Sequence, residues 1–237
     1  KEPFDGLFTQ GMVCHETYKD PDDNWVSPDE IETIDGKKYL KNDTSKKIKI
    51  GPSESMSKSK KNTIDPENII DSYGADSVRL FILSDSPPEK DIQWSEQGMI
   101  ASYKFIQKLW ILHGKFKNRI QENSNNEDIE ISIFINQMIK KVNYNLEKFN
   151  YNVIVANLYE AYNFLFQKLN NPIDKKTLLD NYTKFLAVIS PVIPHFSSEC
   201  LSDLKLNPLQ KWPEVDKNLL KEDTVEYVIQ INGKKRA

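Results

Sequence analysis

A mostly helical fold is what this sequence predicts: an antiparallel helical bundle preceded by a shorter region of strands and hairpins. Three observations lead there. From Ser95 to about Leu204, apolar residues recur with the 3.6-residue period of helices that pack on one face. Residues 1–50 lack that period and carry short extended pieces separated by turn signals. The balance of 38% hydrophobic and 28% charged residues over 237 positions suffices for one large or two small units with a real core.

Taken in order, Phe8 to Val13 alternates, Asp20 to Asn24 is a turn, and Trp25 to Pro28 is extended. Asp35-Gly36, between Glu32-Thr33-Ile34 and Lys37-Lys38-Tyr39-Leu40, reads as a hairpin turn. Lys46 to Ile50 is a further extended piece. Residues 51–62, GPSESMSKSKKN, hold no large hydrophobe except Met56 and predict a solvated, mobile loop. A helix follows, with Asp65 as cap, Pro66 in its first turn, Ile69 and Ile70 on its apolar side and Gly74 at its end. Ala75 to Leu83 is the next helix, with Val78, Leu80, Phe81 and Ile82 as buried candidates, and Pro87-Pro88 breaks the pattern.

The bundle then begins. Met99, Tyr103, Ile106, Leu109 and Trp110 mark a long helix ending near Arg119, followed by a polar linker, Asn123 to Asp128. Ile135, Met138, Ile139, Val142 and Leu146 mark the second helix. The third starts with Asn150 as cap, carries Val155, Leu158, Tyr162, Leu165 and Leu169, and ends at Asn171-Pro172. Leu178, Tyr182, Phe185, Leu186 and Ile189 give a fourth. Pro191 and Pro194 precede a last helix from about His195 to Leu204. Short connections between these segments imply antiparallel neighbours. Thr224 to Ile231 alternates and reads as a strand entering a hairpin at Asn232-Gly233.

Charge and composition narrow the function classes. A net charge of −3 argues against a surface that grips nucleic acid everywhere, and it leaves room for a local basic patch. Lys104, Lys108, Lys115, Lys117, Lys140 and Lys141 are the candidates; singly they read as solvated helix surface, and together they could contact an RNA backbone. No apolar run approaches the roughly 20 residues of a membrane span. Cys14 and Cys200 form no CxxC pair and read as small buried hydrophobes in a reducing, cytoplasmic compartment, with no metal site expected. His15, His113 and His195 form no HxxxH or HxGH pattern; His195 is expected to cap the last helix or satisfy a bundle hydrogen bond. Trp94, Trp110 and Trp212 are expected in the core or at domain joints. Asp71, Asp76 and Arg79 read as helix charges with a local ion pair, Arg79 holding neighbouring helices together. The chain opens without methionine and stops just after a strand-like run, so it reads as a piece of a longer protein.

One segment carries chemistry. An isolated Met56-Ser57-Lys58-Ser59 would more often be a Lys/Ser-rich linker than a site. The competing reading is a loop that closes over a triphosphate. Ammonium groups, hydroxyls and free backbone N–H groups stabilise the charge that develops on departing pyrophosphate. The match extends over residues 56–96, MSKSKKNTIDPENIIDSYGADSVRLFILSDSPPEKDIQWSE. It resembles the KMSKS region of class I aminoacyl-tRNA synthetases. N-x-I-D-P and YGAD-x-x-RL resemble the subgroup that handles branched aliphatic amino acids. Gln10-Gly11-Met12-Val13, Asn24-Trp25-Val26-Ser27-Pro28, Ser190-Pro191-Val192-Ile193-Pro194-His195 and Val228-Ile229-Gln230-Ile231-Asn232-Gly233-Lys234 resemble segments of the leucine-specific members. The resemblance covers nearly the whole chain.

The resemblance implies that Met56, Ser57, Lys58 and Ser59 bind ATP and that Lys58 is the catalytic residue. The family motif opens on a lysine where this chain has Ser55; Lys60 or Lys61 could fill that role in part, or the loop could be weaker. It further implies that residues 1–65 are the tail of a Rossmann-type catalytic domain. Residues 66–98 would be stem-contact helices, 99–210 the helical anticodon-binding domain, and 211–237 the start of a C-terminal extension. The implied reaction joins leucine to tRNA(Leu) through an adenylate, with ATP and Mg2+, in a cytoplasmic monomer with no membrane partner. Because leucine has several codons, the bundle is expected to support tRNA by shape and backbone contacts. The chain contains no HIGH-type motif and no editing insertion, so by itself it is expected not to form adenylate. A valyl-, isoleucyl- or methionyl-specific relative is the nearest alternative. A non-catalytic tRNA-binding module and a helical scaffold without an RNA partner are the others.

Overall fold

The computed structural model describes residues 3–4, 6–122, 124–220, 230–231 and 234–235. Its first part holds two small three-stranded sheets. In one, β1 (Val13–Lys19) lies between β5 (Lys49–Ser55), antiparallel to it, and β6 (Ile92–Gln93), parallel to it. The other is a meander of β2 (Ile31–Ile34), β3 (Lys37–Leu40) and β4 (Asp43–Lys47). The expected hairpin turn is present. Asp35 and Gly36 both have positive φ, 48° and 74°, the twist that a two-residue connection between right-handed strands requires. Tyr18, Val26 and Ile48 form a small core beneath these sheets.

The first five residues of the segment expected to be loop, Gly51 to Ser55, are strand instead. Their Gly/Pro/Ser composition disguises it. β5 is an edge strand, where a proline without an N–H is tolerated. A bulge places Gly51 and Pro52 opposite the single residue Thr17, whose hydroxyl donates to the Pro52 carbonyl at 3.0 Å.

Seven helices follow among the described residues. α1 (Pro66–Tyr73) is capped by Asp65, which accepts from the Glu67 N–H, and α2 (Ala75–Ser84) begins immediately after Gly74. α3 (Glu96–Arg119) starts at Ser95, whose hydroxyl accepts from the Gly98 N–H. α4 (Ile129–Glu147) is capped by Asp128, and α6 (Lys175–Ile189) by Asp174. α5 (Tyr151–Lys168) begins after Asn150, yet the Asn150 side chain makes no cap bond. It donates instead to the Asn145 side chain at 3.3 Å. α7 is Pro194–Asp203.

One hydrophobic core runs through the bundle from Leu80 of α2 to Leu201 of α7. Phe116 stacks on Tyr182 within it at 3.9 Å, and at its margin Phe105 stacks on the exposed Tyr159 at 3.8 Å. Trp110 does not belong to it. It is 40% exposed and meets Phe196 edge-on at 5.0 Å, while Trp94 meets Phe81 edge-on and Trp212 donates to Asn143 at 2.7 Å. Trp110 and Trp212 are thus partly exposed rather than in the core, and Trp94 is half-buried. Cys14 and Cys200 are buried and free. Gln230–Ile231 pairs antiparallel with Lys234–Lys235; the rest of the expected strand, residues 224–229, lies outside the described residues. No described helix is long and apolar enough to cross a membrane.

Candidate functional site

The segment expected to carry the chemistry leaves the end of β5 and turns back beside β1. Met56 N–H donates to the Val13 carbonyl at 3.4 Å, which continues the strand pairing by one residue. Residues 58–61 then form a turn, closed by the Lys61 N–H on the Lys58 carbonyl at 3.3 Å, with Lys61 at φ 53°. Ser57 organises its interior. Its hydroxyl accepts from the Lys60 N–H at 3.3 Å and lies 3.3 Å from the Ser59 hydroxyl. Met56 and Ser57 are half-buried; Lys58 and Ser59 are exposed.

Three lysines crowd this turn, and the structure separates their roles. Lys60 is ion-paired with Glu54 of β5, and Lys61 stands 3.9 Å from Glu30. Lys58 makes no ion pair among the described residues, so its ammonium is the one in this turn left to meet an incoming anion. Lys60, one candidate to stand in for a lysine at position 55, has its charge answered by the neighbouring Glu54 carboxylate.

Asn62 holds the feet of the turn together, and it is fully buried. Its carbonyl oxygen accepts from the Ser57 N–H at 2.9 Å, and its amide nitrogen donates to the carbonyls of His15 and Glu54, each at 3.2 Å. Sequence reading quoted this residue within N-x-I-D-P without giving it a role. The available signal was a lone amide following a lysine run, which has many bland explanations.

A cleft of about 690 Å³ lies between the sheets and helices α1 and α3, lined among others by His15, Glu16, Tyr18, Lys38, Trp94 and Glu96. Lys38 is spent there on Glu16 at 3.1 Å and on the Tyr18 hydroxyl at 2.6 Å. Burial holds the His15 imidazole below its usual range, so it stands neutral, and its Nδ1 meets no partner among the described residues.

Helices α1 and α2 tie this region to the bundle. The expected local ion pair of Asp76 and Arg79 is not formed. Asp76 reaches the start of α7, where its carboxylate accepts from the N–H groups of His195 at 3.3 Å and Phe196 at 2.6 Å and from the His195 ring at 2.9 Å. Pro194 opens α7 and brings no N–H, so Asp76 serves the next two donors of that helix. Arg79 donates to the carbonyls of Pro191 at 2.7 Å and Val192 at 3.1 Å. Three residues apart on one helix, the two side chains grip both polarities of one turn. The YGAD-x-x-RL and SPVIPH segments, remote in sequence, are thus a single joint.

The lysines proposed as a basic face divide. Lys115 donates to the Phe166 carbonyl, Lys117 pairs with Asp203 at 2.7 Å, and Lys141 pairs with Glu160 at 3.2 Å. Lys104, Lys108 and Lys140 are exposed and make no ion pair among the described residues.

Comparison with known proteins agrees with this arrangement. Residues 49–95 match the family model of class I tRNA synthetases (I, L, M and V), and residues 128–237 match that of the anticodon-binding domain of tRNA ligase. The chain is 43% identical to the leucine--tRNA ligase of Bartonella tribocorum, over 99% of this chain and 28% of that protein. It is 40% identical to the leucine--tRNA ligases of Nitrobacter hamburgensis and Brucella abortus, over 99% of this chain and 29% of each. The chain thus spans under a third of the length of these relatives. Among solved structures, agnB2 LeuRS of Agrobacterium radiobacter K84, in a ternary complex with tRNA and LeuAMS, shares the fold. Its TM-score is 0.66 at 23% identity, over 78% of this chain and 25% of that one. By sequence, the chain is similar to one segment of leucine--tRNA ligases, with a class I tRNA synthetase match at residues 49–95 and an anticodon-binding-domain match at 128–237.

Proposed function

We propose that this chain is the part of a leucine–tRNA ligase that closes on ATP and supports tRNA(Leu). The parent enzyme activates leucine as leucyl-adenylate, releasing pyrophosphate, and passes the acyl group to a terminal ribose hydroxyl of the tRNA. The observation that carries the reading is the exposed Lys58 ammonium, without an ion pair among the described residues, standing on a turn whose other two lysines face carboxylates. In that turn Met56, Ser57, Lys58 and Ser59 form the ATP-binding segment. Lys58 is the catalytic residue that stabilises charge on the leaving pyrophosphate. Mg2+ enters with ATP as part of the substrate.

The division of labour is that of the expected domains. Residues 1–65 close the catalytic domain, 66–98 are stem-contact helices, 99–210 bind tRNA, and 211–237 begin an extension. The class I synthetase match at 49–95 and the anticodon-binding match at 128–237 support a catalytic part followed by a tRNA-binding part, with the second match running on through residues 211–237. The exposed Lys104, Lys108 and Lys140 supply salt-sensitive backbone contacts to tRNA. The enzyme acts as a cytoplasmic monomer.

The test is amino-acid-dependent ATP–pyrophosphate exchange and charging of tRNA(Leu) by the full-length protein. Leucine should exceed isoleucine, valine and methionine in kcat/KM by on the order of 100-fold. Preference for another of these amino acids, or tRNA binding without any exchange, would contradict the proposal.

A further inference from the structure

We infer that Asn62 is the positioning residue of the Lys58 turn: its buried amide fixes where the turn stands against β1 and β5, and so where the Lys58 ammonium is presented. The inference rests on the proposed role of that turn in ATP activation.

The geometry leaves little latitude at this position. One planar amide reaches three pieces of backbone: Ser57 N–H on the near foot of the turn, the Glu54 carbonyl in β5, and the His15 carbonyl in β1. Every polar atom of the side chain is used, and none is exposed to water. Ser57, held by the Asn62 oxygen, in turn accepts from Lys60 N–H and adjoins Ser59. Lys58 thus stands one residue from a clamped position, on a turn closed by its own carbonyl.

The chemistry at the site demands both ends of an amide. Aspartate has the same shape and keeps an acceptor for Ser57, but it aims carboxylate lone pairs at the His15 and Glu54 carbonyls. Leucine would remove the amide bonds to those two carbonyls and leave the half-buried Ser57 N–H without the acceptor that holds it. Glutamine keeps the groups and lengthens the arm by one methylene, which moves the turn. Asn62 does not itself face the phosphate side; it acts through Lys58.

Two measurements test this. In the full-length enzyme, ATP–pyrophosphate exchange is measured for Asn62→Asp, Lys58→Ala and the double variant. We expect Asn62→Asp to lower the exchange kcat at least tenfold with the KM for leucine unchanged. The double variant should be no slower than Lys58→Ala alone, because misplacing an ammonium costs nothing once it is absent. A merely structural asparagine would instead give two losses that multiply, and that result would overturn the inference. An unchanged exchange rate in Asn62→Asp, with Lys58→Ala impaired, would overturn it too while leaving the proposed role of the turn intact.

In the chain itself, trypsin cleavage after Lys58, Lys60 and Lys61 is followed by mass spectrometry. Asn62→Asp should be cut in this turn at least tenfold faster than wild type, with the thermal midpoint of the helical part unmoved. Unaltered cleavage would contradict the clasp even if Lys58 proved irrelevant to exchange. Asn62→Gln, read by the same two measurements, replaces Asn62→Asp if the aspartate variant does not fold.

Discussion

Asn62, Asp76 and His113 are polar side chains buried far from the sequence neighbours that usually explain such residues. Each is bonded to main chain or side chains that a local reading could not have paired with it. Asp76 is 7% exposed, and its three acceptor bonds all go to His195 and Phe196. Replacing it by alanine removes a cap and strands a buried donor. Asp76→Ala should therefore destabilise the chain by about 2 kcal/mol in urea denaturation. The exposed Asp71→Ala should stay within about 0.5 kcal/mol. The sequence suggested a local Asp76–Arg79 pair because it exposes only near neighbours; the partners lie more than a hundred residues on, at a turn whose backbone groups need satisfying.

His113 adds a pH dependence. It lies between the Tyr182 hydroxyl on α6, at 3.1 Å from Nδ1, and the Asp203 carboxylate on α7, at 2.9 Å from Nε2, with Lys117 on the far side of Asp203. Burial outweighs the carboxylate and holds the imidazole below its ordinary value of 6.5. The unfolded chain therefore takes up a proton before the folded one does. Stability from neutral His113 is full above the ordinary value and falls as pH drops below it. His15 is shifted the same way by burial, so both contribute. The neighbouring Asp203 is held below its ordinary 3.8 by Lys117 and then His113, and its stabilising effect is lost only at more acid pH. Denaturation midpoints should fall between pH 7 and 5, and His113→Asn should flatten that slope; an unchanged slope in the variant would assign the effect elsewhere.

At the scale of elements, the helices were legible because each signal was local and repeated. The caps Asp65, Ser95, Asp128 and Asp174 and the punctuation of Gly74, Pro172 and Pro194 act within a few residues of the boundaries they set. Asn150 stands at the right position for a cap but turns to Asn145, so residue type alone misjudged its bond. β5 was legible only at its start. Its last five residues are strand by virtue of pairing with β1, a partner more than thirty positions away, against their own Gly/Pro/Ser composition. Leu109 illustrates the energetic side. It is fully buried on α3 within the shared core, so Leu109→Ala should cost about 3 kcal/mol in urea denaturation. A loss under about 1 kcal/mol would mean that this helix face packs less tightly than described.

For the molecule as a whole, the arrangement couples a small β region to a large helical one. The main core extends from Leu80 on α2 through α7, and the sheets rest on the separate cluster of Tyr18, Val26 and Ile48. Helix α2 thus belongs to the bundle by its core and meets the α6–α7 turn by Asp76 and Arg79. Strand β6, between α2 and α3, pairs with β1. The Lys58 turn stands on the β1–β5 sheet, with its hydrogen bonds to β1, β5 and itself. The segment proposed to touch ATP was legible as a motif; what holds it in place was not, since it depends on the Asn62 side chain reaching the backbone of both β1 and β5.

The central claim is that Lys58 acts on the departing pyrophosphate rather than on the amino acid. It is tested most directly by Lys58→Ala in the full-length enzyme, comparing ATP–pyrophosphate exchange with leucine affinity measured calorimetrically without ATP. The account predicts exchange slower by about 100-fold, roughly 2.7 kcal/mol of transition-state stabilisation, with leucine affinity unchanged. Exchange at the wild-type rate, or a loss matched by an equal loss of leucine binding, would contradict it.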